Sequence, residues 1–274
     1  MELRNIYVTG YGGMIGNRLV EMGCSRLYSD VTDPVALDVE IGNKVPEFII
    51  HLAGMSGVDY CEHKENHENV VHVNFYGSRN VFEMAEKHNI PTVFISSDHI
   101  FSGDWVGSYH EDSDDVIKSK NFYGITKFAT EGEAWAYENV KIVRTSTIFT
   151  LTKDAVLTYV DRLVNGGEVY PPLFIWRSFM HLDHFCTALL AYAEKWDTMP
   201  KVLHISGSKT ISWWRFISDY AELLGIDTKK VHKRMNHLQS ELVAPRPHRC
   251  GLDTRLSRKF GIPQYSYLDG LKLE

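Results

Sequence analysis

Tyr123 and Lys127, in "NFYGITKFATE", stand four residues apart and share one face of any helix that the segment forms. A free phenol titrates at about 10 and is a poor acid or base at neutral pH. A nearby ammonium stabilises the phenolate and brings the tyrosine toward general acid–base use. The same spacing also occurs on helix surfaces as an amphipathic pair with no chemistry. Two further stretches give it context. "VFISSDHIFSG" is an apolar run ending in Ser96, Ser97 and Asp98. That is the carboxyl end of a buried strand, where open α/β sheets bind ligands and a hydroxyl can hold a carbonyl. "YVTGYGGMIGNRLV" spaces Gly10, Gly13 and Gly16 three apart between a strand-like run and a helical pattern. Glycines there permit a tight turn, close approach of backbone to a pyrophosphate, and close helix–strand packing. The amides of Met14 and Ile15 open the following helix toward an anion. Asp30, twenty positions beyond Gly10, is placed to accept hydrogen bonds from an adenosine ribose, and reads equally well as a loop aspartate before "VTDP".

The elements that must position these groups alternate. "NIYVTG", "SRLYSD", "EFIIHLAG", "IPTVFISSD" and "NVKIVRTS" read as strands, the later ones as continuous apolar runs typical of buried parallel strands. Between them, "MIGNRLVEMG", "NHENVVHVNFYGSRNVFEMAEKHN" and "YGITKFATEGEAWAYE" carry helical periodicity. Strands alternating with helices predict βαβ units and a parallel, doubly wound α/β sheet of Rossmann type. After Thr145 the pattern loosens: "TYVDRLVNGG", "HFCTALLAYAEKW" and "SWWRFISDYAELLG" read as helices, "KVLHISG" as one more core strand, and "EVYPPLFIWRSFMHLDHF" as irregular. We expect a dinucleotide-binding core over 1–145, rejoined by 181–205, and a smaller substrate-binding lobe from 146–180 and 206–274.

Composition narrows the function classes. The chain has 274 residues, 44% hydrophobic and 23% charged, with a formal net charge of −6, so no electrostatic footprint for nucleic acid or anionic membrane is present. No apolar run approaches about 18 residues, and the N-terminus enters a strand without the pattern of a signal peptide. The four cysteines (Cys24, Cys61, Cys186, Cys250) lack CxxC spacing, which argues against a disulfide framework or a zinc site and for a cytoplasmic setting. His63 and His67 read as solvated histidines, no metal is expected there or at His181 and His184, and Trp213 and Trp214 read as helix packing.

Taken together, "GYGGMIG", "HLAG", "VNFYGSRNV", "SSD", "YGITK" and "RSFMHLDHF" resemble the extended short-chain dehydrogenase/reductases, in that family's order. Within it the chain is most similar to the dTDP-4-dehydrorhamnose reductase family. "SSDHIFSG" resembles that family's S-T-D-Y-V-F-x-G, and "RPHRCGLDTRLSRKFGI" its R-P-x-x-S-x-L-D-T-x-K-L. The resemblance runs over nearly the whole chain, and the last motif is the most specific.

What the resemblance implies is an NAD(P)H-dependent reduction of a nucleotide-activated 4-keto-6-deoxy sugar. Ser97 would orient the ketone, Tyr123 would donate the proton, and Lys127 would hold the nicotinamide ribose and tune Tyr123. Met14 and Ile15 would bind pyrophosphate, Asp38 and Val39 in "ALDVE" would sit near the adenine, and Leu52, Ala53 and Gly54 would line the dinucleotide. Asp98, His99 and Thr147 would face the sugar, with Arg177 and Arg246 on the nucleotide diphosphate; Asn74 would support the site. Two positions depart from the family: His99 stands where Tyr is frequent, and Thr147 where rhamnose-type reductases often have Trp. Both bear on which sugar is taken. Asp30, with no Arg or Lys beside it in "SDVTDP", favours NAD(H), although the family also uses NADP(H). A homodimer formed through the Tyr-x-x-x-Lys helix and the long helix before it is the family's common assembly. The competing readings are a nucleotide-sugar epimerase on the same scaffold and a non-catalytic NAD(P)-binding subunit like the methionine adenosyltransferase β subunit. A 4,6-dehydratase fits less well, because that branch usually has Glu where His99 stands.

Overall fold

Strands at β1 (Ile6–Thr9), β2 (Ser25–Arg26), β3 (Phe48–His51), β4 (Thr92–Ser97), β5 (Val140–Thr145) and β9 (Val202–His204) form one sheet, in the order β2-β1-β3-β4-β5-β9, with every neighbouring pair parallel. The computed structural model describes residues 1–105, 107–113, 118–150, 155–234 and 243–273. Part of the acidic loop before Tyr123 therefore lies outside the described residues. The strand order reverses between β1 and β3, which opens a crevice at their carboxyl ends. The sheet is the doubly wound, Rossmann-like α/β arrangement that the alternation predicts.

Alternate residues of each strand serve opposite faces. Ile6, Val8, Phe48, Ile50, Val93 and Val143 pack with Leu19 of α1 (Met14–Glu21) and with Phe185 and Leu189 of α8 (Leu182–Glu194). On the other face, Ile49 packs with Leu37 and Ile41 of α2 (Pro34–Lys44) and Val81 of α5 (Ser78–Lys87). Phe94 and Ile142 pack there with Phe82 of α5 and Ala134 of α6 (Phe122–Ala134). The periodicity reading above does not include α2. Its signal is nonetheless local: Asp33 caps the Val35 and Ala36 amides, and Pro34 occupies the first turn.

The expected long helix before β4 is continuous but changes pitch. It runs from α4 (His67–Val71) through a π-turn at His72–Gly77 into α5, after a short α3 (Val58–Glu62). The wide turn holds Asn74 inward, where its side chain accepts from the Met55 amide at 2.6 Å and donates to Met55 O and Thr126 Oγ1, both at 3.1 Å. The loop after β3 is thereby tied to α6.

The rest of the chain builds a second layer over the sheet's carboxyl edge. β6 (Ile148–Phe149) pairs with β8 (Met180–His181), while β7 (Trp176–Arg177) lies between β10 (Ile211–Ser212) and β11 (Arg249–Cys250). α7 (Ala155–Val164) and α9 (Trp213–Leu223) enclose a separate apolar cluster that includes Val160, Phe179, Phe216 and Ile217. Trp213 meets Phe179 edge-on, and Trp214 donates to Val231 O, so both tryptophans have packing roles. The "LDTR" segment joins this layer to the loop after β4: Tyr109 N donates to Gly251 O and Asp253 N to Tyr109 O. Two short helices, α10 (Arg255–Lys259) and α11 (Tyr267–Leu271), follow.

Candidate active site

β1 ends at Thr9 and α1 begins at Met14, so the glycine loop is the turn between them. Gly10 has a φ of +66°, and a Cβ there would stand 2.6 Å from Ala53 N. A Cβ on Gly16 would overlap the Gly10 carbonyl oxygen and lie 2.7 Å from Tyr11 Cα. Each requirement arises from close backbone approach rather than from loop flexibility. Gly13 is the N-cap of α1 and has no side chain to satisfy the first amides of the helix. Those amides open onto a cleft of about 480 Å³ lined by Gly10, Gly13, Met14, Ile15, Gly16, Leu52 and Gly54.

The same cleft is lined by Ser96, Ser97, Asp98, His99, Tyr123, Lys127, Thr145, Ser146 and Thr147. β4 delivers Ser97, and Asn121 caps α6 by accepting from the Gly124 amide, which starts the helix one residue before Tyr123. Tyr123 is 9% exposed. Burial pushes its phenol above the ordinary range; the Ser97 hydroxyl opposes that shift, and the Asp98 charge adds to it. The expected tuning by Lys127 is not what holds this phenol. Lys127 Nζ instead donates to Ile95 O at 2.9 Å and lies 4.5 Å over the Phe94 ring. The phenol thus keeps its proton, the form required of a donor.

Burial also pulls the Lys127 ammonium down from 10.5 to about 8. The unfolded chain then binds more protons between those values, so folding stability contributed by this group rises with pH over that window. In the folded chain the charged head is lost as pH rises through about 8, the lower end of that window. If that charge serves the reaction, kcat/KM, which reports the free enzyme, will fall as pH rises through about 8, and Lys127→Arg will move the fall upward. A profile that stays level well above pH 8 in the wild type would remove the charged head from the reaction.

Asp98 and Arg177 form a buried ion pair. Arg177 Nε lies 3.4 Å from Asp98 Oδ2, its Nη1 donates to Pro247 O at 2.9 Å, and the arginine is 3% exposed. Asp98 also accepts from Ser146 Oγ at 2.6 Å. Arg177 is therefore not the free diphosphate contact that the resemblance implies: a guanidinium this deep is held by the carboxylate that pays for its desolvation. Arg246 is more accessible. Its Nη2 donates to Asp59 Oδ2 at 2.8 Å, and its charge acts on the His99 ring.

Asp38 and Val39 are not among the residues lining the cleft. They lie on α2, where Lys87 at the end of α5 and its C-cap His88 hold the Asp38 carboxylate at 2.6 and 2.7 Å, and Val39 is 59% exposed. Asp30 is exposed, and its Oδ1 closes a turn by accepting from Thr32 N and Oγ1. Sequence reasoning missed a basic and aromatic group at this edge. The Arg26 guanidinium lies 5.6 Å over the ring of Tyr11, itself within the glycine loop, and Lys44 Nζ lies 4.7 Å over Tyr28. The only available signal was Arg26 at the end of the second strand. Of the histidines singled out above, His63 is exposed beside Glu65, whereas the other three have packing roles: His67 stacks on Phe122, His184 stacks on Tyr265, and His181 is buried as the N-cap of α8.

A nicotinamide dinucleotide fits this cleft on two observations. The uncapped amides of α1 suit a pyrophosphate. Ser96 Oγ and Thr145 Oγ1 are buried without a hydrogen-bond partner among the described residues, and both residues line the cleft as an orphaned polar edge.

Residues 4–273 match the family model described as RmlD substrate binding domain. The chain is 23% identical to a dTDP-4-dehydrorhamnose reductase of Aggregatibacter actinomycetemcomitans, over 98% of both chains. It is 21% identical to the spore coat polysaccharide biosynthesis protein SpsK of Bacillus subtilis, over 98% of this chain and 96% of that one. The crystal structure of a dTDP-4-dehydrorhamnose reductase from Bacillus anthracis in complex with NADP superposes with a TM-score of 0.87 at 22% identity, covering 98% of this chain and 97% of that one.

Proposed function

This chain belongs to the RmlD substrate binding domain family, and from that premise we propose that it is an NAD(P)H-dependent reductase of a nucleotide-activated 4-keto-6-deoxy sugar. One observation carries the reading: a single cleft is lined both by the glycine loop with its uncapped amides and by Ser97, Tyr123 and Lys127. The α1 amides and the glycine loop would hold a nicotinamide dinucleotide, which would supply the hydride for the keto carbon. Ser97 holds the carbonyl oxygen, and the protonated Tyr123 phenol delivers its proton to that oxygen as negative charge develops on it. Lys127 supplies a positive charge at the cleft floor and a donor for a ribose hydroxyl. We assign 1–145 with 181–205 to the dinucleotide half, and 146–180 with 206–274 to the substrate half.

The case for NAD(H) preference rests on Asp30, whose Oδ1 already accepts from Thr32 N and Oγ1. Arg26 brings positive charge to the edge of the glycine loop, which suits a 2′-phosphate, while nearby Lys44 is paired with Glu40 at 2.8 Å. We therefore read the chain as using NADPH at least as efficiently as NADH. The test of the reading is NADPH and NADH oxidation with a panel of nucleotide 4-keto sugars, each compared with its free sugar. Efficient turnover is expected only with the activated sugars. Arg246→Ala is expected to raise KM for them by about 10- to 100-fold, the cost of a hydrogen bond to a charged group, with the NADPH Kd unchanged. Equal efficiency on free and activated sugars overturns the nucleotide-sugar assignment.

No described helix is long and apolar enough to cross a membrane, and we read the setting as cytoplasmic. A homodimer is supported by exposed apolar side chains on adjacent helices, Tyr76 at 49% and Ile125 at 50%. Sedimentation at micromolar concentration is expected to give twice the 31.4 kDa chain mass, and a monomer there rejects the dimer.

A further inference from the structure

His99 sits where β4 gives way to the cleft, one residue beyond the Asp98–Arg177 pair. Its backbone is held on both sides: its amide donates to Ser97 Oγ at 3.2 Å, and its carbonyl accepts from Ser119 Oγ at 2.9 Å. The imidazole is half-buried and meets the Tyr123 ring edge-on, with centroids 5.6 Å apart. The protonation of the ring is dictated from outside it. Asn121 must point Oδ1 at the Gly124 amide to cap α6, at 2.9 Å. Its Nδ2 then faces His99 Nδ1 and Pro245 O, each at 2.9 Å, and donates to both. Nδ1 is consequently an acceptor, so a neutral His99 carries its proton on Nε2. Burial and the charges of Arg177 and Arg246 keep the ring neutral, holding it far below the ordinary imidazole value. No group among the described residues takes the Nε2 proton, and the ring lines the cleft beside Ser97 and Tyr123.

We propose that His99 is a specificity-determining residue: its Nε2–H, locked in place by Asn121, reads an acceptor oxygen of the sugar next to the carbon served by Tyr123. The inference rests on the ketoreductase reading above and deepens it. It gives the chain a short, rigid donor that distinguishes sugars by the orientation of one oxygen.

The test compares wild type, His99→Phe, His99→Gln and Asn121→Asp on nucleotide 4-keto sugars that differ in configuration at single hydroxyls, with NADPH binding as a control for folding. His99→Phe is expected to lower kcat/KM for the preferred sugar by about 10- to 100-fold and to shrink its advantage over the epimers. His99→Gln, which offers an amide N–H at similar reach, is expected to restore most of that advantage. Asn121→Asp preserves the cap but replaces the donor to Nδ1 with an acceptor. The ring then holds its proton on Nδ1, and the pH profile gains a step within about pH 5–8 that the wild type lacks. The groups facing the ring in that variant are Tyr123 of α6, Arg177 of β7, Arg246 of the C-terminal loop, and the neighbouring Asp98. An unchanged substrate ranking in His99→Phe overturns the proposal while leaving the reductase reading intact. A wild type that turns over none of the activated sugars overturns both.

Discussion

Tyr123→Phe is expected to lower kcat by about 10²–10⁴-fold while leaving the NADPH Kd at the wild-type value. The phenol belongs to a small buried cluster with Cys61 and Val70, and the phenylalanine ring preserves that packing. What the substitution removes is one oxygen and its proton. Burial and the nearby Asp98 charge both favour the protonated form, so at neutral pH nearly every molecule carries the proton to be transferred. An alkoxide forming at the substrate oxygen is the stronger base and takes it. Steady-state turnover and a fluorescence titration with NADPH separate the two quantities. Wild-type turnover in the phenylalanine variant would take Tyr123 out of the mechanism, and a joint loss of turnover and NADPH binding would make it a binding residue.

The second large effect is on stability. Arg144, the penultimate residue of β5, forms a bidentate pair with Glu131 of α6, with contacts of 2.8 to 3.1 Å. The side chains are only 6% and 3% exposed. Arg144 Nη1 also donates to Glu111 O, and the Glu111 carboxylate accepts from the His204 amide of β9. The pair therefore ties α6, two strands and the loop after β4 to one another, directly beneath Thr145 to Thr147 of the cleft wall. Arg144→Met leaves Glu131 as a buried carboxylate without its cation. The expected loss is about 3–5 kcal/mol by chemical denaturation, in the range for breaking a buried pair from one side. Adding Glu131→Leu to that variant is expected to recover much of it, because two apolar groups remove the stranded charge. A loss below about 1 kcal/mol would be typical of an exposed pair and would contradict the buried geometry.

Much of the cleft was legible in the chain because its parts are local. Gly10, Gly13 and Gly16 lie at one strand-to-helix turn, Ser97 at the end of one apolar run, and Tyr123 with Lys127 on one helix face. Period and spacing are properties of a short segment, and they set which side chains emerge together at the carboxyl edge of a parallel sheet. Even α2 announced itself locally through Asp33 and Pro34.

The partners of the charged and polar side chains were decided elsewhere. Asp98 meets Arg177, Asp59 meets Arg246, and Arg26 meets Tyr11 only after distant segments are packed against one another. Asp38 looked available to a ligand until α5 brought Lys87 and His88 to it. Lys127 stands one turn from Tyr123 in sequence, yet one N–H of its ammonium goes to the Ile95 carbonyl of β4. A buried charge or imidazole must find whatever partner the surrounding backbone offers, since leaving it unpaired costs several kcal/mol, on the order of the stability of a whole domain. That constraint acts through non-local contacts. The sequence by itself therefore determined the sheet, the glycine turn and the Ser97–Tyr123–Lys127 grouping, whereas the tertiary structure alone decided which charges are free to meet a ligand and which proton His99 presents.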